Sequence, residues 1–390
     1  MPTPPMTPVA PHVCILSLAH PPGDGRVTHK IGRAFREAGM KVTWIGPGKE
    51  APAVHHGIDF RLLPVAGGWG NRFKRRKLLL DEARKLDDVG VWFCVEPDSA
   101  AMGIRLAAER GGRSVFDIHE VYHDDMLKGR VPRVLQPPLG WIVRQLLTRT
   151  CRKSDLIVGA GITRIEPFAR VARQSMVVRH CLARAYGDGP AARPFDGTRD
   201  AVRILHGKAS LMHGTRAVMR AVAHAKRTSP ARFRLVMFKS FSTAEQFGLE
   251  DAVREARELG IEDSIEWLDT VSFDKMFDLM RGCDAAVIAY SRELGVNSMP
   301  NRIFEYMAAG IPTVCPSYAR ELVSILEETH CGVLVDAEDP RALGDAFVAL
   351  ASDPAGSRAM GGRGRAAFAS KFNMEQEIQP LIDWIRTGSR

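Results

Sequence analysis

Residues 12–45 read HVCILSLAHPPGDGRVTHKIGRAFREAGMKVTWI, and this stretch decides the fold. His12 to Ala19 is a nearly unbroken apolar run, the pattern of a strand buried on both faces. A Gly/Pro turn, PPGDGR, follows it. Val27 to Ala38 carries apolar residues at helical spacing and ends at Gly39, and Lys41 to Ile45 is a second strand. Strand, turn, helix and strand in that order make a βαβ unit, whose strands run parallel.

The alternation continues outward from there. Further strands are expected at Val91–Val95, Ser114–Ile118, Leu156–Val158 and Met176–Val178, with helices between most of them. Residues 186–200 (YGDGPAARPFDGTRD) then interrupt the pattern with glycine, proline and charge. It restarts with strands at Val202–Leu205, Phe233–Phe238, Ile265–Leu268, Ala285–Ala289, Thr313–Cys315 and Gly332–Val335. The expected fold class is α/β, with two doubly wound domains at 1–188 and 201–370, a linker at 189–200 and a closing segment at 371–390. Ligands in such sheets bind at the strand carboxyl ends, so the domains are expected to share a cleft. A chain of 390 residues fits two or three domains at roughly 150 residues each.

Composition excludes several classes. With 45% apolar and 25% charged residues the chain is globular and not disordered. Its proline-rich start has no basic n-region, which argues against a signal peptide or membrane span. The seven cysteines are scattered without a C-x-x-C pair, which fits a reducing compartment and no zinc site. Gly23-Asp24-Gly25-Arg26-Val27-Thr28 lacks the third glycine of a dinucleotide fingerprint, and no Walker A, G-x-S-x-G or H-E-x-x-H motif occurs.

Charge is uneven. Residues 1–195 hold 30 basic against 18 acidic side chains, whereas residues 196–390 hold 24 against 27. A basic first half points to an anionic partner. Arg72, Lys74, Arg75, Arg76 and Lys77 stand beside Trp69, Phe73 and three leucines; Arg133, Arg144, Arg149, Arg152 and Lys153 are mixed with Trp141, Ile142, Leu146 and Leu147. Aromatics interleaved with arginine suit an anionic membrane surface, with a solvated charge run as the alternative. No nucleic-acid-binding motif accompanies the charge.

The most informative chemical segment is Gly295 to Thr313, GVNSMPNRIFEYMAAGIPT. Pro300 suits a first helical turn, and a helix from Asn301 to Ala309 is expected to stop at Gly310 before Pro312. Its free amides, with the loop of Asn297 and Ser298, form a potential diphosphate site. Glu305, near Arg302 on the same side, has the reach to accept two ribose hydroxyls.

This segment resembles the donor-sugar loop of glycosyltransferases with the two-domain, Rossmann-like GT-B architecture, the retaining group called family 4. Those enzymes carry two glutamates eight positions apart, the second in a phrase like F/L-E-Y/A-M-A-x-G-x-P. Here the second is Glu305 and the first position holds Asn297. The resemblance implies that Glu305 binds the donor ribose, and that Asn297, Ser298, Met299, Pro300 and Asn301 line the donor sugar. It implies that Gly207, Lys208 and His213, with Arg302, hold the diphosphate, in place of the group's G-R-x-x-x-x-K-G. It assigns Leu268, Asp269, Thr270 and Val271 to the base. In the first half, His20-Pro21 through Val27 resembles an H-P-x-x-D-x-R-[IV] opening, which gives an acceptor-side loop of Gly23, Gly25 and Arg26. Asp117 to Glu120 resembles the H-[DE] strand end, with His119 near the transferred sugar. Asp24 is the candidate general base if the enzyme inverts.

The resemblance thus implies a metal-independent, retaining transfer from a nucleotide-diphosphate sugar, a UDP-sugar first, to a glycan or lipid-linked acceptor. No cofactor is expected; the cysteine pattern and the basic patches point to a cytoplasmic location on the inner membrane face, with no nucleic acid as partner. In this fold the last helix crosses back to the first domain. A nucleotide-sugar 2-epimerase, using Asp24 and Glu120, or a non-catalytic, membrane-docked nucleotide-sugar-binding protein are the competing readings.

Overall fold

A computed structural model of the chain describes residues 11–64, 71–119, 131–192, 199–241 and 247–388. It divides into two compact units, Met1–His180 with Met374–Arg390, and Cys181–Asn373. The change of unit falls earlier than the Gly/Pro stretch expected as the linker at 189–200. Cys181 and Leu182 are already buried in the second unit's core, and the Ala192 amide donates to the Ala309 carbonyl. The closing segment starts at Met374 instead of 371.

The first unit is built on β1 His12–Leu16, β2 Lys41–Pro47, β3 Asp59–Leu63, β4 Val89–Cys94, β5 Arg113–Ile118, β6 Leu156–Gly159 and β7 Ser175–Val177. Among the described residues these form one parallel sheet in the order β3-β2-β1-β4-β5-β6-β7. Alternate residues serve two cores. Val13 and Ile15 face the core that contains Trp44 and Phe93, while Cys14 and Leu16 face the one that contains Trp92 and Phe116. Burial on both faces explains why β1 reads as continuous apolar sequence and not as an alternation. The helix Met374–Thr387 belongs to this unit: Leu381, Trp384 and Ile385 lie in the Trp44 core, and Arg113 donates to the Trp384 and Ile385 carbonyls at 2.9 and 2.6 Å.

Two elements depart from expectation. β3, a short edge strand, is absent from the sequence reading because charged Asp59 and Arg61 interrupt DFRLL and its burial is partial. The helix expected over 27–38 opens as a π-helix over Val27–Gly32 and becomes α-helical only at Arg33–Glu37. Its wider winding joins the Ile31 amide to the Arg26 carbonyl at 2.9 Å.

The second unit repeats the plan with β8 Val202–His206, β9 Phe233–Phe238, β10 Ile265–Leu268, β11 Ala285–Val287, β12 Thr313–Pro316 and β13 Gly332–Val335. The order among the described residues is β10-β9-β8-β11-β12-β13, all parallel. β11 ends two residues before the expected Ala289. All seven cysteines are buried thiols. Among the described residues no helix is long and apolar enough to cross a membrane.

Candidate functional site

Each sheet reverses its strand order once, between β1 and β4 in the first unit and between β8 and β11 in the second. Loops leaving the carboxyl ends at such a reversal diverge to opposite faces and leave a crevice for ligand.

In the first unit this crevice is organised by carboxylates. Glu96, two residues beyond β4, is buried and accepts the amides of Leu18, Ala19 and His20 at 2.9 to 3.2 Å and the Ser17 hydroxyl at 2.8 Å. One side chain therefore holds the start of the loop that leaves β1, residues 17–20. Asp117, near the end of β5, is fully buried and accepts Arg26 Nε at 3.0 Å and Nη2 at 2.8 Å. The third Arg26 nitrogen, Nη1, donates to the Val178 carbonyl at 2.8 Å. His119 Nε2 lies 2.6 Å from the same Asp117 carboxylate, and the His119 ring meets the His20 ring edge-on at 4.9 Å. His20 in turn contacts Asp24 at 3.3 Å. Burial alone would raise the Asp117 pKa, but the positive charge of Arg26 and the His119 contact hold it well below the usual range.

Asp24 Oδ1 accepts the amides of Arg26 and Val27 at 2.9 and 2.8 Å. Burial opposes its ionisation, yet the His20 contact and these amides keep its pKa depressed, which makes it a weak proton acceptor. Gly23 and Gly25 have ordinary backbone angles, and a Cβ on Gly25 would meet nothing. Arg26 is a buried member of the Asp117 network and not an exposed loop residue. Glu120, the second epimerase carboxylate, lies outside the described residues.

In the second unit the loop after β8 runs from Gly207 to Gly214 and leads into the helix Thr215–Thr228. Thr215 ties this turn together, its Oγ1 accepting the Ser210 amide at 2.9 Å and lying 3.0 Å from His206 Nε2. Gly214 has φ 76°, and a Cβ there would collide with the Ala289 carbonyl at 1.9 Å. The loop is thus pressed against the segment leaving β11. The Ser291 amide donates to the Met212 carbonyl at 2.9 Å, and His213 meets Tyr290 edge-on at 4.7 Å while its Nδ1 lies 2.6 Å from Ser210 Oγ.

Arg302 and Glu305 complete the cluster. A Cβ on Gly207 would lie 2.8 Å from the Tyr306 hydroxyl and 3.0 Å from Arg302 Cζ, so the guanidinium rests on the bare Gly207 backbone. Arg302 Nη1 donates to Glu305 Oε2 at 3.3 Å. The helix that carries them spans Arg302–Ala309 and stops at left-handed Gly310. Glu305 is therefore in its first turn. The backbone anion site is smaller than expected, because the Ile303 and Phe304 amides already bond to the Pro300 and Asn301 carbonyls at 3.2 and 3.0 Å.

The structure brings Gly207, His213, Tyr290, Arg302 and Glu305 together. Lys208 is exposed at the start of the same loop, and Asn297 is exposed in the turn before the helix. Ser298 is spent on the Leu294 carbonyl at 2.5 Å, while Met299 packs on the core and Pro300 is buried. Asn301 is the residue that precedes the helix. Leu268, the last residue of β10, and Val271 beyond it pack against the core, with Asp269 paired to Lys239 at 3.0 Å and Thr270 exposed beside them. The sequence reading missed Glu96, Tyr290 and Tyr306. Glu96 had a signal, an acid at the end of the apolar run VWFCV.

The basic patch is corrected in part. Arg75 is buried with Leu79 and Ala83 and donates to the Leu18 carbonyl, so it supports the β1 loop. Arg72 pairs with Asp98. Trp69 lies outside the described residues.

Comparison with known proteins agrees with this geometry. Residues 206–353 match the family described as Glycosyl transferases group 1. A D-inositol 3-phosphate glycosyltransferase of Xylanimonas cellulosilytica is 28% identical over 185 residues, which cover 46% of this chain and 40% of that protein. The match thus spans about two fifths of the curated relative's length. Among solved structures, a glycosyltransferase from Rickettsia africae aligns with TM-score 0.75 at 12% identity, covering 97% of this chain and 100% of that one. Sucrose-phosphate synthase from Thermosynechococcus elongatus aligns with TM-score 0.69 at 14% identity, covering 97% and 100%. Anabaena HepE in complex with UDP aligns with TM-score 0.71 at 13% identity, covering 96% and 98%. The chain has the two-domain α/β fold of these proteins, GT-B. The stretch that matches the group 1 glycosyl transferases lies within its second unit.

Proposed function

We propose that the chain is a group 1 glycosyltransferase that moves a sugar from a nucleoside diphosphate to a hydroxyl of a glycan or lipid-linked acceptor. One observation carries the reading: Arg302 lies on the Gly207 backbone and beside Glu305 at the strand reversal of the family-matched unit. That places a fixed cation, a carboxylate and a bare backbone within one ligand's reach. The guanidinium, Lys208 and His213 offset the diphosphate charge, while Glu305 accepts the ribose hydroxyls. A UDP-sugar is the first-ranked donor, since Anabaena HepE was solved with UDP and with UDP-glucose.

In the reaction, the bond from the anomeric carbon to the terminal phosphate oxygen breaks. The acceptor oxygen bonds to the same face, and its proton passes to the departing phosphate. The transition state resembles an oxocarbenium ion, as in glycoside hydrolysis. Asn297 offers an amide to a sugar hydroxyl; the family resemblance assigns the His119 ring, held by Asp117, to the transferred sugar. We assign retention at the anomeric carbon on the family resemblance. The test is NMR of the first-formed product: a retained anomer is expected, and an inverted one would overturn the assignment. Release of a free epimerised sugar would instead favour the 2-epimerase.

A further inference from the structure

The helix Arg72–Ala83 has its charges at the wrong end. A helix N-terminus carries positive partial charge, so acids stabilise the first turn and cations weaken it. Here the first turn has no acid, and Lys74, Arg76 and Lys77 make no ion pair among the described residues. Phe73, on the same side as Lys77, is 79% exposed. Helix stability does not explain this arrangement, so another interaction is needed to account for it.

The second basic helix, Gln136–Lys153, repeats the combination. Trp141 is 64% and Leu146 61% exposed, with Ile142 exposed between them. Arg144, Arg149, Arg152 and Lys153 are exposed and also without an ion pair among the described residues. The last two complement the negative end of their own helix; Arg144 and Arg149 do not. A groove of about 500 Å³ runs between this helix and Pro97–Arg110, its lining including Ala101, Ile104, Val143 and Leu147 together with Arg149 and Lys153. Arg72, at the head of the first basic helix, also lines it, so the groove reaches both basic helices.

We infer that this face of the first unit docks on an anionic phospholipid bilayer. Phe73, Trp141, Ile142 and Leu146 enter the interface, and the unpaired cations meet lipid phosphates. Clustered large apolar side chains among unpaired cations fit a headgroup boundary, where both kinds of group gain. A phosphate backbone in water would reward only the cations. The inference is independent of the donor site and is tested without a nucleotide.

The experiment is sedimentation of the full chain with vesicles of phosphatidylcholine alone and of phosphatidylcholine mixed with phosphatidylglycerol. Pelleting is expected with the mixed vesicles only, and should weaken as salt rises. K74E/K77E should lower vesicle affinity roughly a hundredfold. It should not lower the melting temperature, because it places an acid in the first turn of that helix. W141S/L146S should lower affinity at low and high salt alike. No pelleting, equal pelleting on both vesicles, or unchanged pelleting of K74E/K77E would overturn the inference. So would duplex DNA binding that K74E/K77E abolishes while vesicles go unbound.

Discussion

His119 Nε2 lies 2.6 Å from the Asp117 carboxylate, which Arg26 grips through two nitrogens. The buried ion pair and the histidine's orientation therefore depend on one side chain. Asp117→Asn should cost about 3–5 kcal/mol of stability, because it leaves the Arg26 charge buried without its partner. His119→Ala should leave the melting temperature nearly unchanged and lower kcat. Thermal melts and initial rates on both variants separate the two roles.

Acid should destabilise both units through buried histidines. His206, in the second unit, is pushed down to about 3 by burial and by the charges of His213 and Arg302. His180, in the first, is pushed down to about 3 by burial and by Lys30. Below about pH 6.5 the unfolded chain takes up these protons and the folded chain does not. Stability should therefore fall from about pH 6.5 toward pH 3, at up to about 1.4 kcal/mol per pH unit for each histidine. His20 works in the opposite sense: although burial opposes it, Asp24 and Glu96 raise its pKa. Its contribution is present below about pH 6.5 and is lost as pH rises through the raised value. Denaturant melts across this range check the slope, which His206→Gln should flatten.

Glu96 holds three consecutive amides of the β1 loop. Glu96→Ala should cost at least about 3 kcal/mol, at roughly 1–3 kcal/mol for each orphaned donor. Hydrogen exchange should show residues 18–20 losing protection first.

Much of this was legible in the sequence. Continuous apolar runs marked the parallel strands because both sheet faces are buried, so Val13 and Cys14 alike must be apolar. The phrase around Glu305 marked the helix that carries the candidate site. Less legible was anything set by side-chain direction. Arg75 reads as one of four adjacent basic residues, yet its spacing of four from Leu79 and eight from Ala83 puts it on the inward face. The π-winding at Val27–Gly32 left no signal, because one extra residue per turn barely alters an apolar pattern over six positions. Arg302's seat on Gly207 joins residues 95 apart in sequence, a contact that only the strand order creates.

Gly207→Ala would drive a methyl group into Tyr306 and Arg302. It should weaken nucleotide binding by roughly ten- to a hundredfold, about 1.4–2.8 kcal/mol, while the fold melts within a few degrees of the native chain. Titration calorimetry with UDP measures the loss directly.

The proposed reaction neutralises the diphosphate with side chains, so chelation should not slow it. Initial rates in excess EDTA should match those with added magnesium. A rate that collapses with EDTA and returns with the ion would contradict a metal-independent transfer.

The most direct test of the central claim is a thermal-shift titration with UDP-, GDP-, ADP- and dTDP-sugars on the native chain and on Glu305→Ala. Ligand that binds only the folded chain raises its stability by RT ln(1 + [L]/Kd), about 2.7 kcal/mol at a hundredfold excess over Kd. One donor, with a UDP-sugar ranked first, should raise the melting temperature of the native chain, and the variant should lose that rise. No shift with any nucleotide sugar, or an equal shift in Glu305→Ala, would contradict the account.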